Sequence, residues 1–400
     1  MNICFITYRE NNPYIGGIEN VTYLLSKSFI ERGHNVICVS QINTKEGNYT
    51  PACEEFFFPE AKILNNETNT QFLVSIIDRY DIDIIINQNS VDIQSIELCN
   101  SIKHKLPGKK IITPLHFDLF YEEKAISNNF FIKDKNGKDI LQWIKDILLF
   151  TKFHFCQKHL MKQRVKQNLR YIAQISDHVI FLSRGAKEEA INLLKKKEDY
   201  SVKFLTIGNP VDTDCHHPLT KKKEILYVGR IEFGLKRFDR MLYIWKKLEK
   251  KNPEWKLIVL GDGQYRDMFE KKARGMKLER ILFKGFADPA EYYRTASIVC
   301  LTSSSEGFGK VLAEAQGYAC VPIAFDSFTA INDIISNGKN GYCIKAFNKH
   351  LFAKQLQELI NDRENIKIIG EQAKKDSLQF SLETIAEKWE NLFNKISYTQ

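Results

Sequence analysis

The amino-acid sequence predicts an α/β protein made of two Rossmann-like halves, each a parallel sheet covered by helices on both faces. Three observations carry that expectation. Short β-branched runs alternate with amphipathic helical stretches along most of the chain. The alternation halts in a polar stretch around 205–218 and then begins afresh. At 400 residues the chain is also longer than one hydrophobic core commonly serves.

The first series opens with NICFIT, followed by Gly16-Gly17 and the amphipathic stretch IENVTYLLSKSFIERG. NVICVS, DIIIN, KKIITPLH and DHVIFLS follow as buried strands. After Asn209-Pro210-Val211 and the charged KKKE comes the second series: EILYVGR, a helix through RMLYIWKKLEK, WKLIVLGDG, RILFKGF, SIVCLTS and CVPIAFD. The stretch SLETIAEKWENLFNKI is amphipathic and is expected to pack back on the first half. The expected organisation is a first domain over 1–208 with a helical insertion at about 120–170, and a linker at 209–217. A second domain covers 218–377, and the returning helix covers 378–400.

Composition narrows the class. Apolar residues make up 44%, enough for packed interiors and against extensive disorder. The surplus of 58 Lys and Arg over 49 Asp and Glu suits an acidic small molecule, an anionic membrane surface or nucleic acid. Nine scattered cysteines with no C-x-x-C pair give no zinc or disulfide framework and fit reduced thiols in a cytoplasm. MNICFITYRE lacks the basic region and the apolar length of a signal peptide. No apolar run approaches the roughly 18 residues of a membrane span. From Lys138 to Arg170 eight Lys or Arg and two Asp are interleaved with Ile140, Trp143, Ile144, Ile147, Leu148 and Leu149 at helical spacing. Such a helix suits either an anionic membrane surface or a core face with a solvated basic side.

The stretch with most chemistry is TSSSEGFGKVLAEAQG, residues 302–317, which puts Glu306 and Glu314 eight positions apart around a glycine-rich turn. As a continuous helix it would separate them by about 12 Å, beyond the roughly 5–9.5 Å of glycosidase carboxylate pairs. An anion site fits better: a Ser/Gly turn from strand SIVCLTS into helix KVLAEAQ presents backbone N–H groups and the positive end of the helix dipole. The two glutamates would then accept hydrogen bonds from hydroxyls on either side of the phosphates, which describes a nucleotide sugar. Arg230 at the end of EILYVGR and Lys236 beyond Gly234 supply positive charge for a departing diphosphate.

The chain resembles the GT4 family of retaining glycosyltransferases, whose GT-B fold has two facing Rossmann-like domains. The residues that carry the resemblance are GGIEN near the start, NPVD at the linker, VGR with Lys236, and GDG at 261–263. FKGFADPAEYYRTASIVCLTSSSEGFG and the Glu306–Glu314 pair complete the set. The resemblance implies that Glu306 touches the donor sugar, while backbone at Phe308, Gly309 and Lys310 holds sugar and phosphates. It implies that Glu314 binds the ribose, that Arg230 and Lys236 grip the diphosphate, and that Gly285 and Phe286 lie near the base. Gly17 would approach the diphosphate from the first domain, and His116, ending KKIITPLH, would approach the reacting sugar. The implied activity is metal-independent transfer, without a cofactor, from a UDP- or GDP-sugar to a glycan or lipid-linked acceptor in cell-surface polysaccharide synthesis. The expected place is the cytoplasm, with peripheral contact to the inner face of an anionic membrane as an option.

Other features carry less. Asp81-x-Asp83 opens a strand and Asp212-x-Asp214 lies in the linker, so neither D-x-D is placed for a metal. GDG lacks the third glycine of a dinucleotide fingerprint. His216-His217 have no ligand partners at useful spacing. No nucleic-acid recognition motif accompanies the basic charge, so no nucleic-acid partner is expected. The alternatives to transfer are a sugar-nucleotide epimerase of the same fold and a non-catalytic sugar-nucleotide binder.

Overall fold

The computed structural model describes residues 1–44, 49–90, 92–121, 140–194, 200, 202–211 and 220–397, with backbone alone over 140–157 and at 397. The chain divides into two compact units. The first is Met1–Leu119, Arg164–Val211 and Phe380–Gln400; the second is Phe120–Gln163 and Asp212–Gln379.

The first unit holds a seven-stranded, wholly parallel sheet of β1 (Asn2–Arg9), β2 (Asn35–Ile42), β3 (Glu54–Phe57), β4 (Ile84–Asn87), β5 (Lys110–Leu115), β6 (His178–Phe181) and β7 (Phe204–Thr206), in the order β3-β2-β1-β4-β5-β6-β7. All four residues of β4 are buried, because helices cover both faces of the sheet and leave no polar side to alternate with. The sequence reading finds every strand of this sheet except β3 and β7. Both are short strands at the sheet edges, and β3 begins with two glutamates, as edge strands often do.

The carboxy-terminal helix Leu382–Ser397 returns to this unit as expected and packs on helix Gly17–Glu31. Phe29 meets Phe393 edge-on at 5.2 Å between ring centroids and Trp389 at 6.2 Å. Ile385, Trp389, Leu392 and Phe393 share one core with Ile3 and Phe5 of β1. Two polar contacts flank the seam, a hydrogen bond between His34 and Glu390 at 2.7 Å and an ion pair of Arg32 with Glu383 at 2.7 Å.

The second unit holds a six-stranded parallel sheet of β8 (Glu224–Val228), β9 (Lys256–Leu260), β10 (Ile281–Gly285), β11 (Ile298–Leu301), β12 (Val321–Asp326) and β13 (Tyr342–Lys345), in the order β10-β9-β8-β11-β12-β13. Its main core gathers the fully buried Tyr227, Phe238, Trp245 and Phe269. Strand order reverses between β8 and β11 here and between β1 and β4 in the first unit. At such a switch point neighbouring loops diverge and leave a crevice at the carboxyl ends of the strands.

Helix Ile140–Ile175 runs 36 residues. Its last turns bury Leu169, Ile172, Ala173 and Ile175, while Leu160 is exposed. The interleaved apolar residues from Ile140 to Leu149 have no described side chains, so the expectation placed on them lies outside the described residues. Among the described residues no helix is long and apolar enough to cross a membrane.

Truncating Phe393 to alanine removes the ring that fills the seam under Phe29. Phe393→Ala should lower stability by about 3–5 kcal/mol, measured by urea unfolding. A loss below roughly 1 kcal/mol would mean that the returning helix contributes little to the first unit.

Candidate functional site

The site in the second unit is built from the loops that leave β8 and β11. After β8 the chain passes Gly229 and is pinned to the GDG turn by Ile231 N–H donating to Asp262 O at 2.9 Å. The contact is backbone on backbone: a Cβ at Gly261, where φ is +127°, would sit 2.1 Å from Gly229 O. On its other side the same loop is pinned to β11. Ser304 N–H donates to Leu235 O at 2.7 Å, Thr302 Oγ1 to Arg237 O at 3.2 Å, and the Arg240 guanidinium to Thr302 O at 3.1 Å.

This double anchoring delivers Lys236 to Glu306. Lys236 Nζ lies 2.7 Å and 2.9 Å from the two Glu306 carboxylate oxygens, and Ser303 Oγ donates to Oε1 at 2.6 Å. Two donors thus hold one carboxylate through three charge-assisted contacts. Lys236 N–H in turn donates to Glu232 Oε1 at 3.3 Å. Arg230 does not join them; its side chain is 72% exposed, 3.6 Å from Glu232.

Beyond Glu306, Phe308 is buried and Gly309 caps helix Lys310–Gly317 with φ +85°. A Cβ at Gly309 would meet the Phe328 ring at 2.9 Å, so both conformation and space require glycine. No side chain caps this helix, whose positive end faces the carboxyl ends of the strands. Ser304 and Ser305, both buried, have hydroxyls without a partner. Glu314 pairs with Lys310 Nζ one turn back and accepts from Tyr293 OH at 3.1 Å. Gly285, with φ +72°, leaves room for Arg266, and Phe286 beyond it is 77% exposed.

Gly17 and His116 lie in the first unit. A Cβ at Gly16 would stand 2.1 Å from Glu19 Oε2, the end of a flexible side chain that can move aside, and a Cβ at Gly17 would meet nothing within 4 Å. His116 follows β5 and is buried, its Nε2 bonded to Gln88 Oε1 and its Nδ1 without a partner. Burial holds its pKa down at about 4.

The first D-x-D serves the backbone: Asp83 accepts from Asn2 N–H at 2.8 Å, and Asp81 pairs with Lys109 at 3.5 Å. Asp212, Asp214, His216 and His217 lie outside the described residues. Among the described residues no three His, Cys, Asp or Glu side chains gather as metal ligands. Sequence reasoning missed Ser303, Tyr293, Gln88 and Arg240. The first two lie inside motifs already quoted, but nothing local signals their partners.

Both parallel sheets, their switch points and the returning helix define a GT-B protein. Two family models match consecutive parts of the chain: "Glycosyltransferase Family 4" over residues 15–214 and "Glycosyl transferases group 1" over 214–376. The first spans half the chain, and the chain belongs to this glycosyltransferase family 4. Among curated proteins it is 34% identical over 176 residues to an amylovoran biosynthesis glycosyltransferase of Erwinia amylovora, covering 44% of this chain and 49% of that one. It is 26% identical over 230 residues to a capsular polysaccharide biosynthesis glycosyltransferase of Staphylococcus aureus, covering 56% and 60%. These matches thus span about half the length of the relatives. Among solved structures, Anabaena HepE in complex with UDP-glucose superposes with a TM-score of 0.71 at 16% identity, over 99% of this chain and 100% of that one. That likeness is one of fold.

His116 gives stability a defined pH dependence. Between the ordinary 6.5 and about 4 the unfolded chain binds a proton that the folded chain refuses. This contribution is complete above the ordinary value and is lost as pH falls toward the folded one. The interval amounts to about 3 kcal/mol. Urea unfolding at pH 7 and pH 4 should show wild type losing about that much more than His116→Phe; equal losses would refute the assignment.

Proposed function

We propose that this chain is a retaining, metal-independent glycosyltransferase. It moves a sugar from a UDP- or GDP-sugar to a hydroxyl of a glycan or lipid-linked acceptor in cell-surface polysaccharide synthesis. The observation that carries the reading is the Lys236–Glu306 pair, held by Ser303 beside an uncapped helix start at a switch point. It combines a cation for phosphate, a carboxylate for hydroxyls and a helix dipole in one crevice wall.

In this reading Glu306 binds the donor sugar's hydroxyls and Glu314 the ribose, while backbone at Phe308, Gly309 and Lys310 takes sugar and phosphates. Arg230 and Lys236 stabilise the charge that develops on the leaving diphosphate, with Gly285 and Phe286 at the base. Gly17 and His116 serve from the first unit. Retention follows from attack on the face the diphosphate leaves, the diphosphate taking up the acceptor's proton. The relatives' printed roles in amylovoran and capsular polysaccharide synthesis support the class of product. Peripheral contact of the basic helix with an anionic membrane belongs to the same proposal.

Each glutamate change should damage a different half of the donor. Glu306→Gln should abolish most transfer yet keep affinity for the free nucleoside diphosphate, since it also releases Lys236 toward phosphate. Glu314→Gln should weaken donor and free diphosphate alike, by about ten- to a hundredfold for a lost charged hydrogen bond of roughly 1.5–3 kcal/mol. Calorimetric titration decides, with unfolding curves to confirm both variants are folded. Equal losses in two folded variants would sink the separate roles.

Transfer should also persist in EDTA. Activity that disappears with chelator and returns with manganese or magnesium would overturn metal independence. Isomerised sugar formed without any acceptor would point instead to an epimerase.

A further inference from the structure

We infer that Gln88 is a positioning residue that fixes the His116 proton on Nε2, so that Nδ1 stands as a bare hydrogen-bond acceptor for a ligand hydroxyl. The identification of that hydroxyl as one of a donor sugar rests on the proposed function; the tautomer does not.

The argument starts from what a buried imidazole can do. A neutral ring has one N–H and one lone pair, and the partner of either nitrogen decides which is which. The Gln88 carbonyl oxygen faces His116 Nε2, and in that amide orientation it can only accept, which places the proton on Nε2. Nδ1 is then the lone pair, and it is buried with no partner. The Gln88 amide nitrogen is likewise buried and unpartnered. A native fold rarely leaves such atoms unmatched unless a ligand or water completes them. Both residues line one small cavity in the first unit, walled by Val21, Leu25, Ile180 and Trp389.

Placement supports function over packing. Gln88 is the first residue past β4, which flanks the switch point, and His116 is the first past the neighbouring β5. The pair therefore sits at the carboxyl ends of the strands, where α/β sheets bind ligands. Apart from His116, no residue lining the cavity is titratable, and burial alone lowers the imidazole's pKa. A neutral His116 with its proton committed to Gln88 cannot deliver a proton to a leaving group. It can only accept, which suits orientation of a hydroxyl and not acid catalysis.

The test is long-range proton–nitrogen correlation on the full chain labelled with nitrogen-15 histidine, with the His116 signals identified by their loss in His116→Phe. At pH 7 wild type should show the proton on Nε2. Gln88→Leu should lose that bias. Gln88→Glu should keep it at alkaline pH, yet form imidazolium at a pH where wild type is still neutral, because a carboxylate stabilises the cation. A proton on Nδ1 in wild type, or a tautomer unchanged in Gln88→Leu, would overturn the inference. UDP-glucose, UDP-N-acetylglucosamine and GDP-mannose are then added in turn, with UDP and GDP as controls. A sugar nucleotide that raises the melting temperature should shift Nδ1 beyond its control. One that stabilises the protein without that shift would overturn the acceptor role. If none stabilises it, the functional reading and the acceptor role fail together, while the tautomer stands or falls on its own spectrum.

Discussion

The ion pair between Lys236 and Glu306 exists because two parallel strands at the middle of a sheet send their chains in opposite directions. β8 continues toward β9 and β11 toward β12, so the loops leaving them face each other across the reversal. Everything else in the second unit's site supports that meeting. Glycine is required at 261 because Gly229 carbonyl occupies the place of its Cβ, and the resulting close contact fixes the path of the loop that carries Lys236. Without that backbone contact the lysine would be one more cation on a flexible stem.

A buried guanidinium secures the other side. Arg240 lies 4.0 Å over the Phe347 ring and 5.8 Å from that of Phe325, and it donates to Thr302 O where β11 ends. Burial, with Arg237 nearby, lowers its pKa to about 9, so it keeps its charge at neutral pH. The aromatic faces and the carbonyl replace part of the water it gave up. The same logic governs Glu314, whose carboxylate is shared between Lys310 and Tyr293 OH. Both glutamates therefore wait with cations attached, which keeps two carboxylates in one crevice from repelling each other.

The first unit solves a different problem with neutral groups. Its C-terminal strand ends carry Asn87, Gln88, Asn89 and His116, all buried. Amides and a neutral imidazole can offer directed donors and acceptors without the desolvation penalty of ions.

By itself the sequence determined the two α/β halves, the central strands and the return of the last helix. Continuous Ile/Val runs and three-to-four spacing are local records of burial. It also determined the motif around Glu306 and Glu314, because glycine at a positive φ is written in the residue itself. Edge strands β3 and β7 left no such record, being short and half exposed. Only the tertiary structure decided which groups meet: Ser303 with Glu306, Tyr293 with Glu314, and Gln88 with His116, 28 positions apart. It also left the Arg230 side chain largely exposed beside Glu232, apart from Lys236 and Glu306. A hydrogen bond between distant residues depends on strand order and loop path, and neither is encoded in the spacing of residues along the chain.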